Sequence, residues 1–257
     1  MKKFLKPIFH SKFGRILRNI TGIRPPMFLY DCEDDYISSD LFLWRTDKGF
    51  ETVFKASDIL RKYYGVDSVL RVIFYDSSGV FIYQKDFKFD DSTLTIEIKG
   101  ELLNREDIGT FAVFNVPTEQ TSKNINVTNR CYVGYGRNGS FSMVHGNIIG
   151  VMTSPKGTDR GFHQSITPAI SGRKGSYKYV IQKRNDGDKN TSLGFTNPLN
   201  RRIYVNVNGN ISQINPRGCA LITVDTAEDI FEVKSDFIFP RPIVICDDGR
   251  FIDCLHG

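Results

Sequence analysis

The sequence predicts an all-β, mainly antiparallel protein of two tandem sandwich-like units behind a short N-terminal amphipathic helix. Three observations point there. From Ser38 onward the apolar residues fall in short runs divided by turn signals, the pattern of strands joined by hairpins and not of alternating strands and helices. The twenty Phe and eleven Tyr favour pleated, half-buried surfaces. One order of events (extended segment, turn, long strand, hairpin, strand) also recurs in the two halves at spacings of roughly 8–12 residues. The expected division is a basic arm over 1–30, a first unit over 31–153, a loop or linker over 154–176 and a second unit over 177–257.

In the first unit the strand-like runs are Asp40–Arg45, Val69–Tyr75, Val80–Phe87, Thr93–Ile98 and Thr110–Asn115. Asp76-Ser77-Ser78-Gly79 separates two of them as a turn in which Gly supplies the positive φ. A short helix is expected over Ala56–Tyr64, where Ile59, Leu60 and Tyr63 keep helical spacing after Ser57 as N-cap. Cys131–Tyr135 and Phe141–Val144 flank Gly136-Arg137-Asn138-Gly139 as a central hairpin, followed by Ile148–Thr153. Residues 154–176 are rich in Gly, Ser and basic residues and read as a long loop. The second unit resumes with Tyr177–Gln182, Ser192–Thr196, Arg202–Val207, Cys219–Val224, Ile230–Val233, Pro242–Cys246 and Phe251–Cys254. Its turns are Asn197-Pro198-Leu199-Asn200, Asn208-Gly209 and Asn215-Pro216-Arg217-Gly218.

The formal charge of +5 is unevenly spread, because residues 1–26 carry seven Lys or Arg and no Asp or Glu, leaving 27 basic and 29 acidic residues for the rest. The body is near neutral, which argues against a nucleic-acid partner, since that needs a basic stripe on the folded surface. In the arm, a step of about 100° per residue from Pro7 puts Phe9, Phe13, Ile16, Leu17 and Ile20 on one arc and Arg15 and Arg18 on the other side. The helix is expected to end near Gly22, before Arg24-Pro25-Pro26. Such a helix suits an anionic membrane surface, where each basic residue adds ~1 kcal/mol. The same apolar face equally suits docking on the protein's own body. Charges interrupt every run that could serve as a secretory signal, and no window nears the ~20 apolar residues of a membrane span. A cytoplasmic protein, peripheral at an inner membrane, is the expectation.

Cys32, Cys131, Cys219, Cys246 and Cys254 are odd in number, widely spaced and without a C-x-x-C pair. That argues against a disulfide framework and a zinc site and suits reduced, buried thiols in a cytosol. Neither a P-loop nor a dinucleotide glycine fingerprint occurs, so no cofactor is expected. Asp186-Gly187-Asp188 reads as a solvated hairpin loop, and the acidic cluster Asp31, Glu33, Asp34, Asp35 has no nearby His. No metal is expected.

The residues that suit chemistry gather at the central hairpin: Tyr132, Tyr135, Arg137, Asn138, His145 and Asn147. Aromatic faces cover the apolar faces of sugar rings while amides and a guanidinium take the hydroxyls, so this set fits a carbohydrate ligand; strand packing accounts equally for the tyrosines. His145, at a strand end beside Gly146, reads either as a hydrogen-bonded structural histidine or as a general base near neutral pH. Asp253 and His256, in the apolar tail Phe251–Gly257, read either as a packed terminal strand or as a carboxylate orienting an imidazole. Trp44, the single tryptophan, reads as core.

The run from Glu51-Thr52-Val53 through Val69–Tyr75 and Val80–Phe87 to Phe111-Ala112-Val113 resembles the small sandwich of the sensory rhodopsin transducer family. The likeness rests on strand order over about a third of the chain, without a diagnostic motif, and implies a sandwich fold and a binding role. These features lead to a non-enzymatic β-sandwich binding or scaffold protein of bacterial type, carbohydrate-related and serving surface-polysaccharide assembly at the inner membrane. Two alternatives stand beside it. One is a sugar- or nucleotide-sugar-acting enzyme using His145 with Asp253 and His256; the other is an adaptor that binds a protein partner through strand edges.

Overall fold

The computed structural model describes residues 36–121, 125–129, 131–146, 149–155, 161–170, 172, 174–182, 190–224, 229–237 and 240–257. The arm with its membrane-facing set, Cys32, the acidic cluster at 31–35, Asn147 and the Asp186-Gly187-Asp188 loop lie outside the described residues. The described chain is all-β. In order, the strands are β1 (Tyr36–Asp40), β2 (Phe42–Arg45), β3 (Glu51–Ser57), β4 (Ser68–Asp76), β5 (Phe81–Lys88), β6 (Thr93–Ile98), β7 (Ile108–Pro117), β8 (Asn126–Asn129), β9 (Tyr132–Arg137) and β10 (Ser140–His145). There follow β11 (Ile149–Thr153), β12 (Thr167–Pro168), β13 (Tyr177–Gln182), β14 (Asn190–Thr196), β15 (Ile203–Val207), β16 (Asn210–Ile214), β17 (Cys219–Val224), β18 (Ile230–Ser235), β19 (Ile243–Asp247) and β20 (Ile252–His256). Short helices α1 (Ile59–Tyr64), α2 (Gly100–Leu103) and α3 (Phe162–Ser165) punctuate them.

Five four-stranded sheets result, with orders β2-β7-β4-β5, β10-β9-β3-β6, β12-β11-β1-β8, β13-β18-β15-β16 and β17-β14-β19-β20. Pairing is antiparallel throughout except between β1 and β8. No sheet mixes strands from before and after residue 177. The β1–β2 segment changes sheets at Leu41, pairing first with β11 and β8 and then with β7.

Strand alternation sorts the side chains into three cores. The first lies between the β2-β7-β4-β5 and β10-β9-β3-β6 sheets, around Phe42, Phe54, Phe74, Phe111 and Tyr135. Phe42, Phe54 and Phe111 meet with centroids 5.1–5.2 Å apart, in the edge-on and offset arrangements aromatic rings prefer. Trp44 is fully buried there and donates its indole N–H to Tyr75 O at 3.0 Å. The second core fills the space between the two later sheets with Leu193, Phe195, Val205, Phe231 and Val233. The third sets Ile37, Val127 and Val151 against Ile73, Ala112 and Phe114.

The halves are fused by more than a linker. The first core also takes Cys219, Ile243, Ile245, Ile252 and Cys254 from the β17-β14-β19-β20 sheet, whose opposite face serves the second core. Gly194 permits this approach, because a Cβ there would stand 2.7 Å from Leu43 Cδ2. Within the stretch expected as a loop at 154–176, Phe162 and Ile166 enter the third core and Thr167–Pro168 pairs with β11, since apolar side chains in a Gly-rich segment still seek burial. Arg217, backbone φ 64°, makes a buried junction: its guanidinium donates to Pro198 O, to Ile166 O at 2.9 Å and to Asn200 Oδ1 at 2.9 Å, while Thr110 Oγ1 donates to Arg217 O.

The helix expected over Ala56–Tyr64 starts later. Ala56 and Ser57 remain in β3, and α1 begins at Ile59 because Asp58 caps it, accepting from Arg61 N at 3.1 Å and from Ser68 Oγ at 2.8 Å. Leu60 is buried, while Tyr63 points out at 71 % exposure. Cys131, Cys219, Cys246 and Cys254 are buried and form no disulfide with one another. Burial pushes the Cys131 and Cys254 thiols up to about 12. Among the described residues no helix is long and apolar enough to cross a membrane.

Candidate functional site: a polar cleft between the halves

Alternation along the β9–β10 hairpin scatters the residues that sequence spacing groups together. Tyr135 points inward with no exposure, its hydroxyl donating to Leu43 O at 2.9 Å, and burial holds its phenol well above the ordinary range. It is a core residue, not a ligand platform. Tyr132 and His145 face each other across the pair on the opposite face, edge to face with centroids 6.5 Å apart. The turn is shorter than expected. Asn138 and Gly139 alone occupy it, with φ 51° and 80°, so Arg137 closes β9. Arg137 follows the inward alternation past the rim of the first core, and its Nη1 donates to Asp247 Oδ2 at 2.6 Å. Asn138 Nδ2 donates to Gly249 O at 3.3 Å, which uses that amide to hold the halves together.

From this point β10 runs beside β20 in a seam. Ile252 N donates to Ser140 Oγ at 2.8 Å and Cys254 N to Ser142 Oγ at 3.1 Å, so hydroxyl side chains take the place of a main-chain ladder. The seam ends where His145 Nδ1 and His256 Nε2 stand 3.1 Å apart. The two histidines thus converge from positions 111 residues apart. Asp253 does not join them on the same face: Ile252 and Cys254 serve the first core and Leu255 packs on the second, which places residues 253 and 256 on opposite faces of β20. Ser142 Oγ lies 3.5 Å from Asp253 Oδ1. Asp253 and His256 thus occupy opposite faces of the strand on which the carboxylate–imidazole arrangement was expected.

At the Arg137 end the halves part to form a cleft of about 550 Å³, within the ~300–1,000 Å³ range of ligand pockets. One wall is the β2–β3 turn, held to the loop before β7 by Thr46, whose hydroxyl donates to Arg105 O at 3.0 Å and accepts from Asp107 N at 3.1 Å. Arg45 grips Asp47 in bidentate fashion, Nε to Oδ1 at 2.6 Å and Nη2 to Oδ2 at 3.2 Å, and lies 3.6 Å over the Phe50 ring. Arg137 approaches the same ring at 5.4 Å. The floor is the β17-β14-β19 face, where Thr223, Ser192 and Ile245 lie in one cross-strand row with Asn190 and Asp247 in the next.

The lining carries Asp47, Glu106, Asp107 and Asp247 against Arg45, Lys48 and Arg137, four acidic groups to three basic ones. Two of the cations already hold carboxylates of the cleft itself. What remains for a ligand is a mixed set of hydroxyl, amide and charged groups beside Leu221 and Ile245. Lys48 stands at the rim with φ 54°, a left-handed backbone that a lysine seldom adopts.

Among the described residues, Arg137 is the one expected site residue that lines this cleft. The others that line it were hidden because no local spacing joins residues near 47, 107, 192 and 247. The one readable signal was the Thr46-Asp47-Lys48-Gly49 turn between two strand-like runs. His163 of the expected loop stacks on Phe81 with centroids 4.1 Å apart. Among the described residues no group of three or more His, Cys, Asp and Glu side chains is placed to hold a metal ion. No family model and no curated protein matches the chain, so the likeness in strand order to the sensory rhodopsin transducer sandwich carries no family assignment.

Proposed function

We propose that this protein is a non-enzymatic β-sandwich binding protein that holds a neutral, polyhydroxylated ligand of the carbohydrate class in the cleft between its halves. The observation that carries the reading is the self-paired lining. A phosphate or nucleotide would need an excess of positive charge, whereas the lining sets four acidic groups against three basic ones, and Arg45 and Arg137 each already face a carboxylate. Ser192, Thr223 and Asn190 offer the donors and acceptors that sugar hydroxyls require, and Leu221 and Ile245 offer apolar surface for ring faces. A role in surface-polysaccharide assembly, with the basic arm resting on an anionic inner membrane, completes the proposal on the strength of the arm's amphipathic sequence.

The test is a thermal-shift panel on the full chain with neutral oligosaccharides, uronic-acid oligosaccharides and nucleotide sugars. Neutral glycans should raise the melting temperature, by mass action worth about 2.7 kcal/mol at 100-fold excess over Kd. Thr223→Trp, which fills the floor from an exposed position, should abolish the shift. Stabilisation by nucleotide sugars alone would sink the neutral-ligand reading. The approach of His145 to His256 favours a second reading, an enzyme on a sugar or nucleotide sugar, and turnover lost in His145→Ala would promote it.

A further inference from the structure

We infer that His145 and His256 form a two-imidazole site for a divalent transition-metal ion of the zinc, nickel and copper class at the open end of the β10–β20 seam. The site is separate from the cleft, about 16 Å away along β10 at ~3.3 Å per residue, and does not depend on the carbohydrate reading.

The geometry starts from two nitrogens. His145 Nδ1 and His256 Nε2 lie 3.1 Å apart, with the rings tilted 46° and their centroids 4.3 Å apart. Metal–imidazole bonds are about 2.0–2.1 Å, so nitrogens at this separation subtend about 100° at a shared ion, between square-planar and tetrahedral angles. A third donor is in place, since Gly146 O lies 2.9 Å from the same Nδ1. Gly146 is held on its amide side. Gly146 N donates to Cys131 O at 2.9 Å, and a Cβ at residue 146 would fall on the carboxylate of the buried Asp40. The ion would sit between the two nitrogens, with water completing its coordination. Two imidazoles with a carbonyl form a nitrogen and oxygen set that suits this class of ion better than magnesium or calcium, which take all-oxygen shells. Because the two histidines sit on strands from different halves, the ion would clamp the seam.

The experiment is a zinc titration of the tag-free full chain, followed by calorimetry and by melting temperature. One ion per chain should bind, with a rise in melting temperature that a chelator reverses. His145→Gln and His256→Gln should each weaken binding by more than the roughly 10–100-fold lost with an outer-shell partner, while His163→Gln and His10→Gln leave it unchanged. A second measurement needs no variant: electron paramagnetic resonance of bound copper(II) should show splitting from two ligand nitrogens. No heat and no melting shift in the wild type, binding that survives both seam variants, or a copper signal without two nitrogens would each overturn the assignment.

Discussion

Two arginines join the halves of this molecule, and their surroundings are opposite. Arg217 is 8 % exposed and held by carbonyl and amide oxygens, with Tyr75 alongside; burial depresses its pKa and pushes the Tyr75 phenol up to about 12. The Arg137 side chain is 32 % exposed, spends one nitrogen on Asp247 and lines an open cleft. The first arrangement satisfies many neutral acceptors at once and leaves no room for a visitor. The second commits one nitrogen of a partly exposed guanidinium fork to its partner. A cation joining two halves is structural where its donors are consumed, and available for recognition where they are not.

Three measurements would sharpen or break this contrast. Arg217→Ala strands several buried carbonyls and should cost about 3 kcal/mol in urea unfolding. Arg217→Lys should recover little of it, since an ammonium cannot reproduce the fork. An alkaline titration comes next. Cys131 and Cys254 are raised from 9.0 to about 12, and Tyr75 from 10.0 to about 12, by burial. Their folded values lie above their unfolded ones, so the stabilisation is complete below pH 9 and is lost as pH rises towards 12, at roughly 1.4 kcal/mol per pH unit for each group once its unfolded form ionises. Flat stability between pH 9 and 11 would contradict the buried placement of these groups. The smallest effect belongs to Arg137→Ala, which should cost under ~1 kcal/mol of stability because the pair is partly solvated, yet should reduce the glycan-induced melting shift. A loss as large as that of Arg217→Ala would erase the distinction.

The strands were largely legible because alternation and turn chemistry act within a few residues. Thr93–Ile98, Tyr177–Gln182 and Cys219–Val224 have the limits that their apolar pattern indicates. Asn208-Gly209 adopts the two positive φ values its sequence invites, at 46° and 94°. The strand after it, β16, has the pattern Asn-Ile-Ser-Gln-Ile with an exposed Ile211 and gives a weaker signal. Ser57 and Asp58 are both cap-forming residue types, and the Ser68 hydroxyl ten residues on helps select Asp58. The site was far less legible. Tyr132 and Tyr135 are three apart on one strand and therefore face opposite ways, so proximity in sequence grouped residues that the pleat separates. Arg137 with Asp247, 110 residues apart, and His145 with His256 are products of how the two halves pack, which no local pattern encodes.

The serines of β10 have one further consequence. Exposed strand edges are templates on which other chains can polymerise, and proteins usually blunt them with charge, proline or a bulge. Here two edges blunt each other. Ser140 and Ser142 engage the amides of Ile252 and Cys254 through side chains alone, so β10 and β20 shield one another from aggregation without merging into one sheet.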